Sequence, residues 1–264
     1  MTAPPEDLTL ALELADVADE ITLARFRAED LVVETKPDLT PVSEADRAVE
    51  RALRDRLQTV RPGDALVGEE YGASEGEGAL RRWIIDPIDG TKSYVRGVPV
   101  WATLVALQEA DELMVGVVSA PALGRRWWAA RGTGAFVRDA LGGSPRPLHV
   151  SAISDLSDAQ LCFADFGSWQ GTPRLDGLLE LSARCWRTRG YGDFWQHMLV
   201  AEGAVEIAVD PGVSFWDLAA PMAVVVEAGG RLTDVSGVDR ADGGDGVASN
   251  GLLHDSALRM LNGA

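Results

Sequence analysis

An α/β fold follows from three observations: two runs of helical spacing near the N-terminus, a change to strand-like patterning from Trp83 onward, and alternating strand and helix signals beyond residue 144. Leu10, Leu14, Val17, Ile21 and Ala24 recur at helical spacing, as do Val49, Leu53, Leu57 and Val60 behind Ser43, which is placed to cap the second helix. Trp101 to Leu107, Leu113 to Ser119 and Arg126 to Ala130 read as strands of a meandering sheet. Gly142-Gly143-Ser144-Pro145 interrupts them. Beyond that break come Leu161 to Ala164, Leu175 to Ala183, Trp186 to Arg189, Phe194 to Glu202 and Val205 to Val209, strands and helices in turn. The expectation is one domain, residues 1–264, in two packed halves of about 1–143 and 144–264. Gly72 to Gly78 and Ser236 to Gly246 are Gly-rich acidic loops, read as solvated turns; the second lacks the spacing and final Glu of a calcium loop.

Composition narrows the function classes. With 264 residues, 46% of them hydrophobic, the chain can build a substantial core. No apolar run approaches the ~20 residues that cross a bilayer, and no basic stretch followed by an apolar segment opens the chain, so neither a membrane span nor a secretory signal is expected. Two cysteines without a close motif, Cys162 and Cys185, point to a reducing cytoplasm. A net charge of −17 without a basic patch argues against a nucleic-acid partner.

The acidic motifs carry the chemistry. Asp86-Pro87-Ile88-Asp89-Gly90-Thr91 follows the apolar run Trp83-Ile84-Ile85, so two carboxylates and a hydroxyl stand where a buried strand is expected to end. Pro87 locks the exit and Gly90 permits a sharp turn, which lets Asp86, Asp89 and Thr91 converge. Oxygen ligands of this kind select Mg²⁺ or Mn²⁺ over zinc; an Asx-type turn is the plainer alternative. Gly68-Glu69-Glu70-Tyr71-Gly72 follows a second apolar run, Ala65-Leu66-Val67, and by itself fits a solvated turn as well as a ligand. In Phe215-Trp216-Asp217-Leu218-Ala219-Ala220-Pro221 one acid opens an apolar helical stretch, with Pro221 expected in the first turn and Asp217 either an N-cap or a carboxylate that needs a cation to offset its desolvation. Together Glu69, Asp86, Asp89 and Asp217 supply about the charge that two Mg²⁺ ions need.

Other catalytic schemes find no support in the residues. His149, His197 and His254 are scattered without metal-ligand spacing and read as surface or packing residues. No Gly-x-Ser-x-Gly elbow is present. Gly132-Thr133-Gly134 and Gly190-Tyr191-Gly192 read as turns rather than phosphate loops.

The three acidic motifs, in this order, resemble the inositol monophosphatase family of Mg²⁺-dependent phosphatases over essentially the whole chain. The resemblance implies a layered αβαβα sandwich with the metal site between its halves, and two or three Mg²⁺ ions, with Mn²⁺ as a substitute. It implies that Glu69, Asp86 and the carbonyl of Ile88 hold a first ion, and that Asp86, Asp89 and Asp217 hold a second. It further implies that the amides of Gly90 and Thr91 hold the phosphate, that Thr91 orients an attacking water, and that Asp46, behind the mobile-loop segment starting at Lys36, hydrogen-bonds Thr91. Asp46 can also cap a first helical turn, and both roles can hold at once. A homodimer is implied as well.

Within the family, Lys92-Ser93-Tyr94-Val95-Arg96-Gly97, Pro121-Ala122-Leu123-Gly124-Arg125-Arg126-Trp127-Trp128 and Arg189-Gly190-Tyr191-Gly192-Asp193-Phe194 resemble the branch that hydrolyses histidinol phosphate. Core packing is the alternative for Trp127-Trp128 and Phe194-Trp195. Histidinol phosphate carries an ammonium group and an imidazole, so its pocket is expected to be acidic, whereas inositol is an uncharged polyol. Asp193 and Asp210 stand where the family contacts the substrate beyond its phosphate; alternatively Asp193 caps a helix and Asp210 belongs to the turn before Pro211-Gly212. Arg187 or Arg189 is placed to steady the phosphate or a partner subunit. The rival functions are an inositol or sugar phosphatase with the same metal chemistry, and a non-catalytic regulatory scaffold.

Overall fold

Two sheets alternate with three layers of helix in the computed structural model, which describes residues 6–37, 39–74, 80–139 and 144–263. Helix α1 (Glu6–Arg25) leads into a hairpin of β1 (Val33–Thr35) and β2 (Pro41–Ser43), and α2 (Glu44–Val60) starts at once behind it. Ser43 caps α2 in a reciprocal box with Asp46, an arrangement in which losing the hydroxyl costs about 1 kcal/mol. Strands β3 (Ala65–Gly68), β4 (Gly72–Ala73) and β5 (Arg81–Asp89), the short helix α3 (Thr91–Val95), then β6 (Ala102–Glu109), β7 (Glu112–Ala120), β8 (Arg125–Ala130), β9 (Ala135–Arg138) and β10 (Arg146–Pro147) complete the first region. Eight of its ten strands form one sheet in the order β10-β9-β8-β7-β6-β5-β3-β4, antiparallel throughout except for the β3–β5 pair. The remainder holds β11 (Gln160–Phe163), α4 (Leu175–Arg184), β12 (Arg187–Arg189), α5 (Asp193–Ala201), β13 (Ile207–Pro211), α6 (Phe215–Glu227), β14 (Arg231–Thr233), β15 (Asp245–Ser249) and α7 (His254–Leu261). Five strands form the second sheet in the order β12-β11-β13-β15-β14.

Period-2 alternation sorts the strand residues into layers. Trp83, Ile85, Val105 and Leu107 face the apolar stripe of α1 and α2. Ile84, Leu104 and Ala106 face the other way, onto α5 and α6, which also receive Cys162, Ala208 and Ala248 from the second sheet. Leu161, Ile207 and Val209 point to the far side, where α4 and α7 cover them. The αβαβα order is therefore present. Each fully buried Leu, Ile or Val adds about 1.5–3 kcal/mol.

Several local expectations are corrected. The strand carrying the aspartates does not end at Ile85; β5 continues to Asp89 with a bulge, since Asp86 pairs with Leu104 but Asp89 with Ala102. Thr103 donates its hydroxyl to the Pro87 carbonyl at 2.7 Å, satisfying a group that the bulge takes off the ladder. Pro221 lies mid-helix rather than in the first turn. Its missing N–H would have bonded the Asp217 carbonyl, and α6 tolerates the loss because sheets on both sides hold it in place. On one of those sides Gly116 of β7 lets the helix approach so closely that a Cβ there would sit 2.6 Å from the Ala220 carbonyl. Trp101 lies outside β6 and packs with Phe26 and Tyr94 in a separate aromatic cluster. The sequence pattern gives no sign of the hairpin β1–β2, of strands β9, β10, β14 and β15 or of helices α3 and α7, and β4 pairs Gly72 and Ala73 where a solvated turn is expected. The Gly142-Gly143 break and most of the Gly72 to Gly78 loop lie outside the described residues. No helix among the described residues is long and apolar enough to cross a membrane.

Candidate active site

The bulge in β5 decides the site. Residues three apart on a regular strand point to opposite faces, but the extra residue between Asp86 and Asp89 turns both toward the first turn of α6. There Asp217 joins them, with one carboxylate oxygen from each of Asp86, Asp89 and Asp217 within 4.8 Å of one another. Asp217 is the third residue of α6; Ser214 is the N-cap, and its amide donates to Asp217 Oδ2 at 2.7 Å. Asp86 Oδ1 accepts the amide of Ile88 at 3.0 Å, and Asp89 Oδ2 accepts that of Phe194 at 2.6 Å. Main chain thus aims all three acids.

No cation is built in among the described residues to neutralise this trio. Burial, then the neighbouring acids, pushes Asp86 and Asp89 well above the usual carboxylate range, and burial lifts Asp217 to about 6. Glu69, Asp89 and Asp217 all lie close enough to Asp86 for their charges to add to the effect of its burial. Three unit charges this close repel by roughly 3–4 kcal/mol per pair at an effective dielectric near 20. An all-oxygen set held by main-chain amides fits a hard divalent cation, whose charge would remove that repulsion.

Glu69 stands beside the trio rather than in it. It occupies the turn after β3, its amide donates to the Ile85 carbonyl at 3.3 Å, and its carboxylate faces Lys36 Nζ at 2.8 Å. Lys36, from the segment between β1 and β2, also reaches Glu70 at 2.5 Å. Burial pulls its ammonium pKa down, but the two glutamates outweigh that and hold it above its ordinary value. The Thr91 hydroxyl lies 2.9 Å from the Ile88 carbonyl and 3.2 Å from Asp46 Oδ1. Asp46 Oδ2 meanwhile accepts the amide and hydroxyl of Ser43 at 2.8 and 2.6 Å, so it caps α2 and meets Thr91 simultaneously. Gly90 takes a left-handed φ of 84°, and only 3.1 Å would separate an added Cβ from Asp193 Oδ2.

Asp193 and Asp210 approach the trio from the second region. Asp193 does not cap α5, whose N-cap is Gly192; it has a strained φ of 49°, and its carboxylate, lifted to about 6 by burial and then by Asp210, makes no hydrogen bond among the described residues. Asp210 is not a turn residue but a buried member of β13. Gln196 and His197 of α5 both reach its Oδ2, His197 at 2.9 Å, while Oδ1 is buried without a partner. His197 and His254 are accordingly buried hydrogen-bonding residues; His254 bridges Thr233 and Ser249 at 3.0 and 2.8 Å, and only His149 is at the surface. Arg189 is not drawn into the site: it is exposed at the end of edge strand β12, bonded to the Thr188 carbonyl, and Arg187 leaves its Nε buried and unpartnered. Trp127 and Phe194 are core residues, as their packing alternative expected. A cleft of about 1140 Å³ is lined by Arg82, Phe215, Glu227 and Arg231 among others but by none of these acids.

Sequence reading missed Lys36 as a partner of Glu69, and also Gln196, His197 and Glu50. Glu50 alone carried a signal, an acid recurring at helical spacing within the apolar stripe of α2.

Comparison with known proteins now bears on this geometry. The model of the inositol monophosphatase family matches residues 5–262. The chain belongs to the inositol monophosphatase family. It is 54% identical over 261 residues to a histidinol-phosphatase of Streptomyces coelicolor, covering 97% of each chain, and 56% identical over 257 residues to one of Mycobacterium tuberculosis, covering 97% of this chain and 98% of the other. Among solved structures, an inositol monophosphatase of Thermotoga maritima superposes with a TM-score of 0.85 at 29% identity, covering 98% of both chains. A member of this family with relatives so similar is a phosphatase, and its αβαβα layering is that of the inositol monophosphatase structures.

Proposed function

We propose that this phosphatase hydrolyses L-histidinol phosphate to L-histidinol and inorganic phosphate, in histidine biosynthesis in the cytoplasm, acting as a homodimer. The observation that carries the substrate is the pair of acids, half-buried Asp193 and buried Asp210, beside the Asp86, Asp89 and Asp217 trio. A neutral polyol gives such acids little to compensate their burial, whereas an ammonium and an imidazolium N–H do. The names borne by the relatives at 54% and 56% identity support the same substrate.

In this reading Glu69, Asp86 and the Ile88 carbonyl would hold one Mg²⁺, and Asp86, Asp89 and Asp217 a second, with Mn²⁺ as a substitute and a third ion as a further option. When bound, the ions neutralise the phosphate, lower the pKa of water and stabilise the departing alcohol oxygen. The chain's own residues position the rest. The Thr91 hydroxyl has one proton and two acceptors in reach, the Ile88 carbonyl and Asp46; were the carbonyl engaged by an ion, the proton would go to Asp46. Thr91 can then accept from the attacking water and orient its oxygen toward phosphorus, while burial, which raises the Asp46 pKa, suits Asp46 to take up a proton. The amides of Gly90 and Thr91 hold the phosphate oxygens, whereas Arg189, exposed at the end of β12, takes no part.

Turnover on histidinol phosphate and on inositol 1-phosphate separates the proposed substrate from the polyol alternative. Asp193→Asn and Asp210→Asn refine it: each should cost about 2 kcal/mol or more in kcat/KM on histidinol phosphate and less on glycerol phosphate. An equal loss on both esters would show that these acids support the fold or the metals instead. Binding to a protein partner without any turnover would favour a scaffold.

A further inference from the structure

Asp46 and Glu50 lie four residues apart on the buried face of α2, so one helix presents two acids to the site region. The first meets Thr91. The second, with a side chain that is 0% exposed, makes no hydrogen bond to Asp86, Asp89 or Asp217. Glu50 Oε2 accepts the amide of Glu70 at 2.7 Å, and Oε1 accepts the amide of Tyr71 at 3.1 Å and Arg54 Nε at 2.8 Å. Both oxygens are occupied by donors. The turn between β3 and β4 is therefore pinned from beneath by a carboxylate, and from outside by Arg51, which donates to the Tyr71 hydroxyl at 2.9 Å.

Gly68 belongs to the same device. A Cβ at that position would overlap all three terminal atoms of the Glu50 side chain, yet its φ is not left-handed, so the glycine answers to the carboxylate beneath it rather than to the backbone. The Gly68-Glu69-Glu70-Tyr71 motif thus has a physical cause: Gly68 admits Glu50, Glu70 and Tyr71 supply the amides, and Glu69 is left to project toward Asp86.

We propose that Glu50 is a positioning residue for the divalent-cation site, acting through the turn that carries Glu69. The inference rests on the reading of Glu69 as a ligand. Ligand-orienting partners of this kind typically change metal affinity by 10- to 100-fold when removed. Glu50→Gln keeps the volume but loses the charge and one acceptor oxygen, so it should weaken Mg²⁺ binding, measured by calorimetry, at least about 10-fold. Gly68→Ala, which displaces the carboxylate without touching it chemically, should weaken binding in the same direction. In both variants kcat on glycerol phosphate should return to the wild-type value at saturating Mg²⁺, which a general loss of structure would not allow.

Glu69→Gln is the control on the premise. If it binds Mg²⁺ as the wild type does, the ligand reading fails and the inference with it. If Glu69→Gln binds weakly while a folded Glu50→Gln or Gly68→Ala binds within about twofold of wild type, the positioning role alone is overturned. A kcat deficit that saturating Mg²⁺ does not repair overturns it too. Should Glu50→Gln fail to fold, Gly68→Ala decides.

Discussion

Two places in this molecule gather acids side by side, and they are built on opposite terms. At the end of α5, Glu202 accepts from Arg125, Arg146 and the Trp127 indole at 2.9, 2.7 and 2.8 Å, and Asp139 pairs with the same two arginines. Burial would raise Asp139, but the hydrogen bonds from Arg146 and Arg125 outweigh it and hold the carboxyl below its usual range. At Asp86, Asp89 and Asp217 the acids accept from main-chain amides and face further acids, and their pKa values go up. An acid cluster with its cations included closes a structure; one without them stores repulsion that a bound ion can release. The contrast locates function more reliably than burial or charge alone.

The sharpest way to break that comparison is to remove one acid from each cluster. Asp217→Asn should lower kcat/KM by about 100-fold or more while leaving the metal-free protein at least as stable, because it removes one of three repelling charges. Undiminished activity at limiting Mg²⁺ would refute the site. Next in size, Thr91→Ala should reduce kcat by roughly 100-fold with little change in KM, since orientation counts most in the transition state. A change confined to KM would make Thr91 a binding residue.

Glu202→Gln should do the reverse of Asp217→Asn: activity largely retained, stability lowered by about 2 kcal/mol, a fall of roughly 4–8 °C in Tm. Thermal unfolding of the two variants side by side tests the contrast directly, and equal Tm losses would erase it.

The smallest expected effect is a pH dependence. Asp217 has a folded pKa of about 6, raised above its ordinary 3.8, so its contribution to metal-free stability is present below the ordinary value and lost as pH rises through 6. The Tm gain on adding Mg²⁺ should therefore grow from about pH 5 to about pH 7.5. A gain that shrinks over that interval would mean these carboxyls are not the groups that receive the ion.

How much of this was legible in one dimension depended on the range of the interaction. Helical and strand periods report which face of an element is apolar, a local matter, and they placed α2, α4, α5 and the central strands within a residue or two, and α1 from Leu10 on, four residues inside its start at Glu6. Motif chemistry was local as well: Ser43 and Asp46 form their box within one turn, and Asp86, Asp89 and Asp217 stand out as acids embedded in apolar runs. Strands of two or three residues such as β1, β10 and β14 have no period to read, and they exist because partner strands offer them hydrogen bonds.

Only the tertiary structure could decide the rest. The bulge between Asp86 and Asp89 is defined by register against β6, and Pro221 is held in mid-helix by packing from two sheets; neither neighbour is near in sequence. Lys36 meets Glu69, Glu50 meets the Glu70 amide and Asp193 meets Gly90 across separations that no local pattern spans. Sequence by itself determined which residues could hold a cation, because that is set by oxygen donors and their desolvation. Whether those donors converge, and which of them go uncompensated, is set by through-space electrostatics that exist once the layers have packed.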